Sequence, residues 1–331
     1  MAMDAYDYVL PEAAIAQEPA EPRDAARLLV GTHPAGAVSH HRVRDLPGLL
    51  GPGDVLVVND SRVVPARLRL HKGTGGQVEV VLLERLHGQT WEALVRPGDR
   101  VPPGTRLLAG GRELMEVGDR RVDGVREVHL LADPEAHASL ALPPYIHRPL
   151  ADPERYQTVY ATHPGSVAAP TAGLHLTEEV LDACRRGGVE VHAVDLAVGL
   201  GTFRPVTAER PEDHVVHAER YRVPHSTMEA CRRAERVVAV GTTTVRALES
   251  ASATGALTGR TSLFIHGDYP FRVVDVLLTN FHVPRSSLLL LLAAFCGGRW
   301  SHLYRVALED GYRFLSFGDA MLVARRREAA H

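Results

Sequence analysis

The sequence is poor in lysine and cysteine and has no long apolar run. Lys72 is the single lysine among 37 basic residues, so the abundance of arginine reflects a genome-wide bias and is not evidence of phosphate recognition. The three cysteines, Cys184, Cys231 and Cys296, lie in apolar contexts without paired spacing. This distribution argues against disulfides and zinc ligands and predicts reduced, buried thiols.

Membrane and secretory segments are also missing. The most apolar stretch, "SLLLLLAAFCGG" from Ser287, is too short to cross a bilayer and predicts a buried helix. The start, "MAMDAYDYVLPE", lacks the basic region and apolar core of a secretory signal, so we expect a cytoplasmic location. The net charge of -3 provides no global attraction to nucleic acid, and a polyanion would have to bind a local basic patch.

The length of 331 residues predicts two domains. From Asp54 onwards, short β-favouring segments are separated by Gly, Pro and Asp: "DVLVVND", "ARLRL", "QVEVVLLER", "TWEALVR", "TRLLAG" and "VREVHLL". Such evenly spaced strands predict a small barrel or sandwich. The proline-rich "LPPYIHRP" that begins at Leu142 predicts a stiff connection and a domain edge.

After that edge, helical and strand patterns alternate. "TEEVLDACRRGG" predicts a helix with Thr177 as its N-cap, and "STMEACRRAER" and "TTVRALESASA" predict two more. Between them, "VEVHAVDLAVG", "VVAVG", "TSLFI" and "RVVDVLLTNF" predict strands, and "YRFLSFGDAMLVARR" predicts a further strand before a basic tail. The alternation predicts a layered α/β domain.

Small residues crowd the loop "GSVAAPTAGLHLTEE" that enters the first of these helices. Gly173 and its small neighbours permit close backbone approach, and free amides at a helix start favour an anionic or polar ligand. Thr171 and His175 lie in this loop, where an imidazole could act as acid, base or hydrogen-bond donor. The alternative is a solvated loop histidine.

Two glycine-containing turns follow strands. "GLGTFRPV" contains Gly201 and Thr202 but is not the full dinucleotide fingerprint, so a structural turn explains it equally well. "VVAVGTTTVRALES" predicts a buried strand that ends at Gly241, followed by a helix start that could hold a phosphate or carboxylate. Its candidate residues are Gly241, Thr242, Thr243, Thr244 and Arg246. Simple helix capping by the threonines is the competing interpretation.

Three further stretches contain polar residues. "DHVVHAERY" matches no standard zinc motif, so we interpret it as a polar strand with His217 and Glu219 on one face. "LLTNFHVPRSS" places Asn280 and His282 at the end of an apolar strand, where α/β sheets bind ligands. "VVNDSRVVPARL" contains Asn59, Asp60 and Ser61, which by themselves indicate an ordinary solvated turn.

Ten collinear blocks resemble one family: "YDYVLPEAAIAQEP", "RLL", "GDVLVVNDSRVVPARL", "LPPYI", "YQTVYA", "GSVAAPTAGLH", "GLGTFRPV", "VGTTTVRALES", "VDVLLTNFH" and "YRFLSFGDAML". The chain is similar over nearly its whole length to the S-adenosylmethionine:tRNA ribosyltransferase-isomerases of queuosine synthesis. The resemblance implies an α/β fold, with a layered α/β catalytic domain at 1–61 and 146–331 and an inserted small β-barrel domain at 62–145.

The resemblance also implies an enzyme that moves the ribosyl part of S-adenosylmethionine onto a 7-aminomethyl-7-deazaguanine base in the tRNA anticodon loop. The products would be epoxyqueuosine in tRNA, adenine and methionine. S-adenosylmethionine is consumed as a substrate, and we expect no permanently bound cofactor, no metal and a monomer. tRNA is the partner.

The implied chemistry assigns candidate roles to the residues. The sulfonium acidifies the C5′ hydrogens, so a base and an acid are needed. The catalytic candidates are His175, His217, Glu219 and His282. The substrate-binding candidates are Thr171, Gly173, Gly201, Thr202, Gly241, Thr242, Thr243, Thr244, Arg246, Asn280 and Asp319. The candidates for tRNA binding are Arg62, Arg67 and Tyr145.

The chain departs from the family pattern near these residues. Ala197 stands where most members have histidine, Leu176 replaces a phenylalanine, and His266, Gly267 and Asp268 replace Tyr-Pro-Gly. The departures leave two alternatives open. One is a diverged paralogue that transfers to a free 7-deazapurine or another small acceptor, and the other is a non-catalytic protein that binds tRNA or S-adenosylmethionine.

Overall fold

The computed structural model describes residues 3–32, 37–121, 124–199, 206, 208–214 and 216–326. The chain divides into two units. The larger unit comprises Met1–Arg62, Pro143–Pro164 and Ala169–His331, and the smaller comprises Val63–Leu142 with Gly165–Ala168. The boundaries expected from the sequence were 61/62 and 145/146.

The larger unit is built on a nine-stranded sheet. Its strands are β1 (Arg27–Gly31), β2 (Ser39–Arg42), β3 (Asp54–Asn59), β13 (Glu190–Leu196), β14 (Glu219–Arg222), β15 (Arg236–Val240), β16 (Thr258–Thr261), β17 (Val276–Asn280) and β18 (Ala320–Ala324). Their order across the sheet is β16-β14-β13-β3-β15-β17-β18-β1-β2. The four strands β13, β3, β15 and β17 are mutually parallel neighbours.

The parallel part of the sheet is buried on both faces. All six residues of β3 are buried, and Val57 pairs with His192 of β13 on one side and Ala239 of β15 on the other. Such strands are Val-rich and apolar because helices cover both faces of the sheet. Leu56, Val58 and Leu278 belong to one apolar cluster.

The described residues of the larger unit form five α-helices: α1 (Glu178–Arg186), α2 (His225–Arg233), α3 (Thr242–Thr254), α4 (Ser287–Cys296) and α5 (Arg299–Glu309). The predicted N-cap of α1 is confirmed, since the Thr177 hydroxyl accepts the amide of Val180 at 3.3 Å. The predicted buried helix at Ser287 is α4, which Ser286 caps at the amide of Leu289. Within the described part of the chain, no helix is long and apolar enough to span a membrane.

The smaller unit is a closed barrel. Strands β5 (Arg67–Lys72), β6 (Gln77–His87), β7 (Thr90–Arg96), β10 (Val125–Leu130), β9 (Arg112–Arg120) and β8 (Arg106–Ala109) pair in that order, and β5 closes on β8. The short β11 (Ala138–Ser139) extends the edge at β5. Leu68 and Leu70 point inward between more exposed neighbours, as in a barrel with an apolar interior. The remaining strands, β4 (Ser61–Val63) and β12 (His163–Ser166), pair with each other.

The predicted fold class is confirmed, while several element boundaries are wrong. "DVLVVND" is not the first barrel strand, because it forms β3 at the centre of the large sheet. "TSLFI" is not a strand beyond Thr261, where β16 ends. "RVVDVLLTNF" becomes a strand only at Val276.

The late start of β17 has a physical cause. The fully buried Glu249 carboxylate accepts the amides of Arg272, Val273 and Val274 at 2.9 to 3.1 Å. These amides are therefore not available to a neighbouring strand.

The cysteine prediction is confirmed. All three thiols are free and buried, and burial raises the pKa of Cys184 to about 11 and those of Cys231 and Cys296 to about 12. Thiols of this kind are unreactive at neutral pH.

Candidate functional site

The four parallel strands all end at one edge of the large sheet. β3 ends at Asn59, β13 at Leu196, β15 at Val240 and β17 at Asn280. In α/β sheets, ligands bind outside the carboxyl ends of the strands. Polar side chains on or after these ends are therefore candidates for substrate contact.

Gly241 joins β15 to α3 at this edge. Its backbone angles of φ 86° and ψ 152° are readily adopted only by glycine. Gly241 provides no side-chain cap, and the hydroxyl of Thr244 instead donates to the carbonyl of Val240 at 2.7 Å. The threonines therefore do not cap the helix, and the first amides of α3 face the edge.

The predicted loop residues reach the same edge. The hydroxyl of Thr171 donates to Asn280 Oδ1 at 2.9 Å, and Asn280 Nδ2 donates to the carbonyl of Leu315 at 3.2 Å. The methyl of Ala172 lies 3.7 Å from where a Cβ on Gly241 would stand. The 3-10 helix Thr171–His175, the end of β17 and the start of α3 are thus brought together.

Gly173 is small for a specific reason. A Cβ at this position would lie 2.0 Å from the hydroxyl of Tyr160 and 3.0 Å from Thr158 Cγ2. No larger residue fits unless Tyr160 moves. Gly173 therefore makes room for a neighbouring side chain and does not simply leave space for a ligand.

His175 is buried, with 4% of its surface exposed, so the alternative of a solvated loop histidine is wrong. Nε2 lies 2.9 Å from the carbonyl oxygen of Gly318, and Nδ1 lies 3.2 Å from that of Ala172. Burial lowers the pKa of His175, although both nearby carbonyls favour the protonated form. A neutral imidazole has one N–H and can donate to only one of the two oxygens.

Glu219 and Arg246 form a mostly buried ion pair beside the carboxyl edge. Glu219 Oε2 accepts Arg246 Nη1, and Glu219 Oε1 accepts the amide of Gly199 at 2.9 Å. Arg246 Nε donates to the carbonyl of Leu263 at 3.0 Å. Arg246 Nη2 is buried and has no hydrogen-bond partner in the described part of the molecule, so it can still donate to a ligand.

His217 is separated from Glu219 by the strand boundary. β14 begins at Glu219, and His217 lies before it and is exposed. The predicted polar strand is therefore shorter than "DHVVHAERY", and pleating does not fix His217 on the face of Glu219.

His282 lies among aromatic side chains. Nε2 is 3.0 Å from the hydroxyl of Thr279, the amide of His282 donates to the hydroxyl of Tyr304 at 2.7 Å, and Tyr8 donates to its carbonyl at 2.5 Å. Burial lowers the pKa of His282 to about 3. The ring is therefore neutral at physiological pH.

Asp319 is occupied by the main chain. Its carboxylate accepts the amides of Arg27 and Arg313 at 2.9 and 2.8 Å. This arrangement fixes β18 relative to β1 and to the segment before it. Recognition of a base by Asp319 remains a prediction, and the free capacity of its oxygens is small.

The three tRNA candidates occupy different environments. Arg62 pairs with Glu154 at 2.9 Å and is 41% exposed. In the barrel, Arg67 donates to the carbonyl of Leu142 at 2.9 Å. The Tyr145 hydroxyl lies 2.7 Å from that of Ser316, and burial raises its pKa. Of these, Arg62 is the most accessible to a phosphate.

The interpretation of Asn59 and Ser61 as a solvated turn is wrong, since both are almost fully buried. Asn59 Nδ2 donates to the carbonyl of Leu196 at 3.0 Å and to the hydroxyl of Thr243 at 3.2 Å. Asn59 Oδ1 accepts the amide of Leu196 at 3.1 Å, and Ser61 Oγ lies 2.7 Å from Asp195 Oδ1. The available clue was that these polar residues directly follow the apolar residues 56–58 of β3.

Two predicted residues, Gly201 and Thr202, lie outside the described part of the chain. Among the residues that are described, no three His, Cys, Asp or Glu side chains are grouped so that they could hold a metal ion.

The chain is similar to known proteins over nearly its full length. A family model described as "Queuosine biosynthesis protein" matches residues 3–323. An S-adenosylmethionine:tRNA ribosyltransferase-isomerase of Thermus thermophilus is 52% identical, covering 97% of this chain and 99% of that protein. Its counterpart in Moorella thermoacetica is 50% identical, covering 98% and 100%.

A solved structure is also similar. The crystal structure of the S-adenosylmethionine tRNA ribosyltransferase from Thermotoga maritima matches with a TM-score of 0.56 and 38% identity, covering 96% of this chain and 99% of that one. The resemblance drawn from the sequence motifs is confirmed.

Proposed function

Because this chain belongs to the queuosine biosynthesis family and is an enzyme, we propose that it transfers and isomerises the ribosyl part of S-adenosylmethionine. The acceptor is the 7-aminomethyl-7-deazaguanine base in the tRNA anticodon loop. The products are epoxyqueuosine in tRNA, adenine and methionine. The protein acts as a monomer in the cytoplasm, without metal or permanently bound cofactor.

The observation that carries the proposal is the polar edge of the parallel sheet. Three features belong to the carboxyl ends of adjacent strands or to the elements packed there. They are Thr171 bonded to Asn280, the start of α3 without a side-chain cap after Gly241, and Arg246 Nη2, which has no partner among the described residues. A nucleoside with an amino-acid tail needs both neutral hydrogen-bond partners and a cation for its carboxylate. Arg246 Nη2 is the donor for that carboxylate.

The reaction requires proton transfers at the ribose. A base takes a proton from C5′, and the aminomethyl nitrogen of the acceptor forms the new C–N bond and loses a proton. Methionine leaves with the electron pair of its carbon–sulfur bond, and adenine leaves with the pair of its C–N bond as it gains a proton. The lowered pKa values of His175 and His282 keep both rings neutral, which suits a base or a neutral donor better than an acid. We assign the C5′ proton to His175 and keep His217, Glu219 and His282 as the other candidates.

The function is tested by adenine release from S-adenosylmethionine. tRNA bearing the modified base is compared with the free base, and the mass of each acceptor is followed. Release that depends on tRNA, with ribosyl mass added to it, supports the proposal. Release with the free base alone supports the small-acceptor paralogue, for which Ala197 is the motivating difference. Binding without release supports the non-catalytic alternative.

The role of His175 is tested separately with His175→Ala. We expect loss of turnover with the fold intact by circular dichroism, and near-normal adenine release by the folded variant would overturn the assignment. His192→Ala is the matched control, because this ring bonds to Glu190 at 3.0 Å on β13, at the other end of the strand from Leu196.

A further inference from the structure

Three polar side chains around Tyr160 have buried atoms without hydrogen-bond partners among the described residues. They are Asp60, Thr158 and Tyr160, here called the Tyr160 cluster. Within the described ranges, Asp60 Oδ1, Thr158 Oγ1 and the Tyr160 hydroxyl are each buried and unpartnered. Native proteins satisfy most buried polar atoms, so such a group points to a missing ligand or water.

The members of the cluster lie close together. The Tyr160 hydroxyl and Thr158 Cγ2 both lie against Gly173, so one small residue accommodates both side chains. Asp60 lies beside the same segment, since its carbonyl accepts the amides of Thr162 and His163 at 2.8 and 3.2 Å. Burial and the negative charge of Asp60 raise the pKa of Tyr160, while the positive charge of Arg23 acts in the opposite direction. That hydroxyl therefore stays protonated at neutral pH.

The cluster is held by rigid surroundings. Arg23 donates to the carbonyls of Glu154, Gln157 and Leu174 at 2.8 to 3.2 Å, which ties the segment before Thr158 to the 3-10 helix at Thr171–His175. Thr158 is 4% exposed, whereas the next residue, Val159, is 39% exposed. The hydroxyl groups of Thr158 and Tyr160 are thus held in the interior before any ligand binds.

Asp60 carries the negative charge of the cluster, and the guanidinium of Arg23, which acts on Tyr160 from nearby, donates to main-chain carbonyls. Asp60 Oδ2 accepts the hydroxyl of Thr162 at 2.9 Å and lies 3.1 Å from His163 Nδ1, while Oδ1 has no partner. Among the described residues, His163 is the only ion-pair partner of Asp60. One carboxylate oxygen and two hydroxyl oxygens match the three N–H donors of a primary ammonium group.

We propose that the Tyr160 cluster is the subsite that binds a primary ammonium group of a substrate. This inference depends on the proposed function, which offers two such groups: the α-ammonium of S-adenosylmethionine and the aminomethyl group of the acceptor base. Both groups are primary ammonium ions, and the KM values of the two substrates distinguish which of them binds here. No bond is made or broken at this subsite.

The test measures KM for both substrates by adenine release in Asp60→Asn, Thr158→Val and Tyr160→Phe. Loss of a charged hydrogen bond weakens binding by about tenfold or more, so Asp60→Asn should raise one KM by that factor. A rise for S-adenosylmethionine alone identifies its α-ammonium, and a rise for modified tRNA alone identifies the aminomethyl group. If neither KM changes more than about twofold in Asp60→Asn and Tyr160→Phe, the inference is wrong, and so it is if kcat alone falls.

Matched controls carry the same substitutions at hydroxyls that have partners. Thr227 donates to the carbonyl of Ala193 at 2.9 Å, and the hydroxyl of Tyr312 lies 2.9 Å from His40 Nδ1. Thr227→Val and Tyr312→Phe should lower the Tm and leave both KM values unchanged. Without substrate, Tyr160→Phe and Thr158→Val should keep or raise the Tm, because they remove unpartnered polar atoms.

The two proposals fail in different ways. If the wild-type protein releases no adenine with any acceptor, the proposed function fails. If the wild type turns over but the cluster variants keep both KM values, only the subsite is refuted. A drop in Tm for Tyr160→Phe equal to that of Tyr312→Phe would show that its hydroxyl is structural and would also refute the subsite.

Discussion

Asn59 and Asp60 are neighbours in the sequence, yet their side chains differ in how fully they are hydrogen bonded. Every polar atom of the Asn59 side chain is hydrogen bonded, to Leu196, Ser61 and Thr243. Asp60 keeps one buried oxygen without a partner among the described residues. The same contrast recurs in the first turns of α3, where Thr244 is bonded and Arg246 Nη2 has no partner in the described part of the chain.

This difference separates two roles of buried polar groups, one structural and one in ligand binding. A satisfied group joins strands and stabilises the fold, since its desolvation is offset by hydrogen bonds. An unsatisfied group is tolerated in the free protein at a cost, and a ligand can recover that cost. The carboxyl edge of this sheet contains both kinds of group.

The largest effect is expected where a buried charge loses its partner. Arg246→Met leaves the Glu219 carboxylate, only 10% exposed, without its cation and should lower the free energy of unfolding by about 3–5 kcal/mol. Urea denaturation measures the change. Adding Glu219→Gln to Arg246→Met should recover part of the loss, and no recovery would mean that the pair is not coupled.

Asn59→Ala should be the next most damaging change. It leaves the amide of Leu196 without its side-chain acceptor and removes one of the two donors to the carbonyl of Leu196, which keeps the hydroxyl of Ser61. We therefore expect a loss of about 3 kcal/mol in the free energy of unfolding. Asp60→Asn, one position later, should cost about 1 kcal/mol or less because one of its oxygens is unpartnered. Equal losses in urea denaturation would remove the distinction between the two neighbours.

The buried histidine at the end of β17 should make stability depend on pH. The folded-state pKa of His282 is about 3, below its ordinary value of 6.5, so stability is full above pH 6.5 and falls as the pH drops towards 3. At pH 5 the loss should be about 2 kcal/mol relative to pH 7.5. His282→Gln should flatten this part of the curve, and an identical slope in the variant would contradict the assignment.

The smallest effect should come from the unpartnered tyrosine hydroxyl. Tyr160→Phe should change the free energy of unfolding by less than about 0.5 kcal/mol or raise it slightly, because no hydrogen bond is lost. Tyr221→Phe removes a hydroxyl that donates to the carbonyl of Ala256 at 2.9 Å and should cost about 1 kcal/mol. An equal fall in the free energy of unfolding for Tyr160→Phe and Tyr221→Phe would contradict the distinction between bonded and unpartnered hydroxyls.

Much of the site could be predicted because local rules place it. A strand that stops at Gly241 before a run of threonines predicts a helix start at a sheet edge, and Asn280 follows its strand in the same way. Asn59 and Ser61 were missed because a polar run with Asp and Arg is equally typical of a surface turn. Burial there is decided by β13, which comes more than a hundred residues later.

The sequence by itself determined many of the strands and helices, the fold class and the family, because strand and helix patterns and motifs are local. Only the tertiary structure decided which polar atoms are satisfied. Gly173 is small because Tyr160 lies against it, and Glu249 delays the start of a predicted strand by accepting the amides of Arg272 and Val273. Hydrogen-bond partners and burial depend on residues distant in sequence, and no local pattern encodes them.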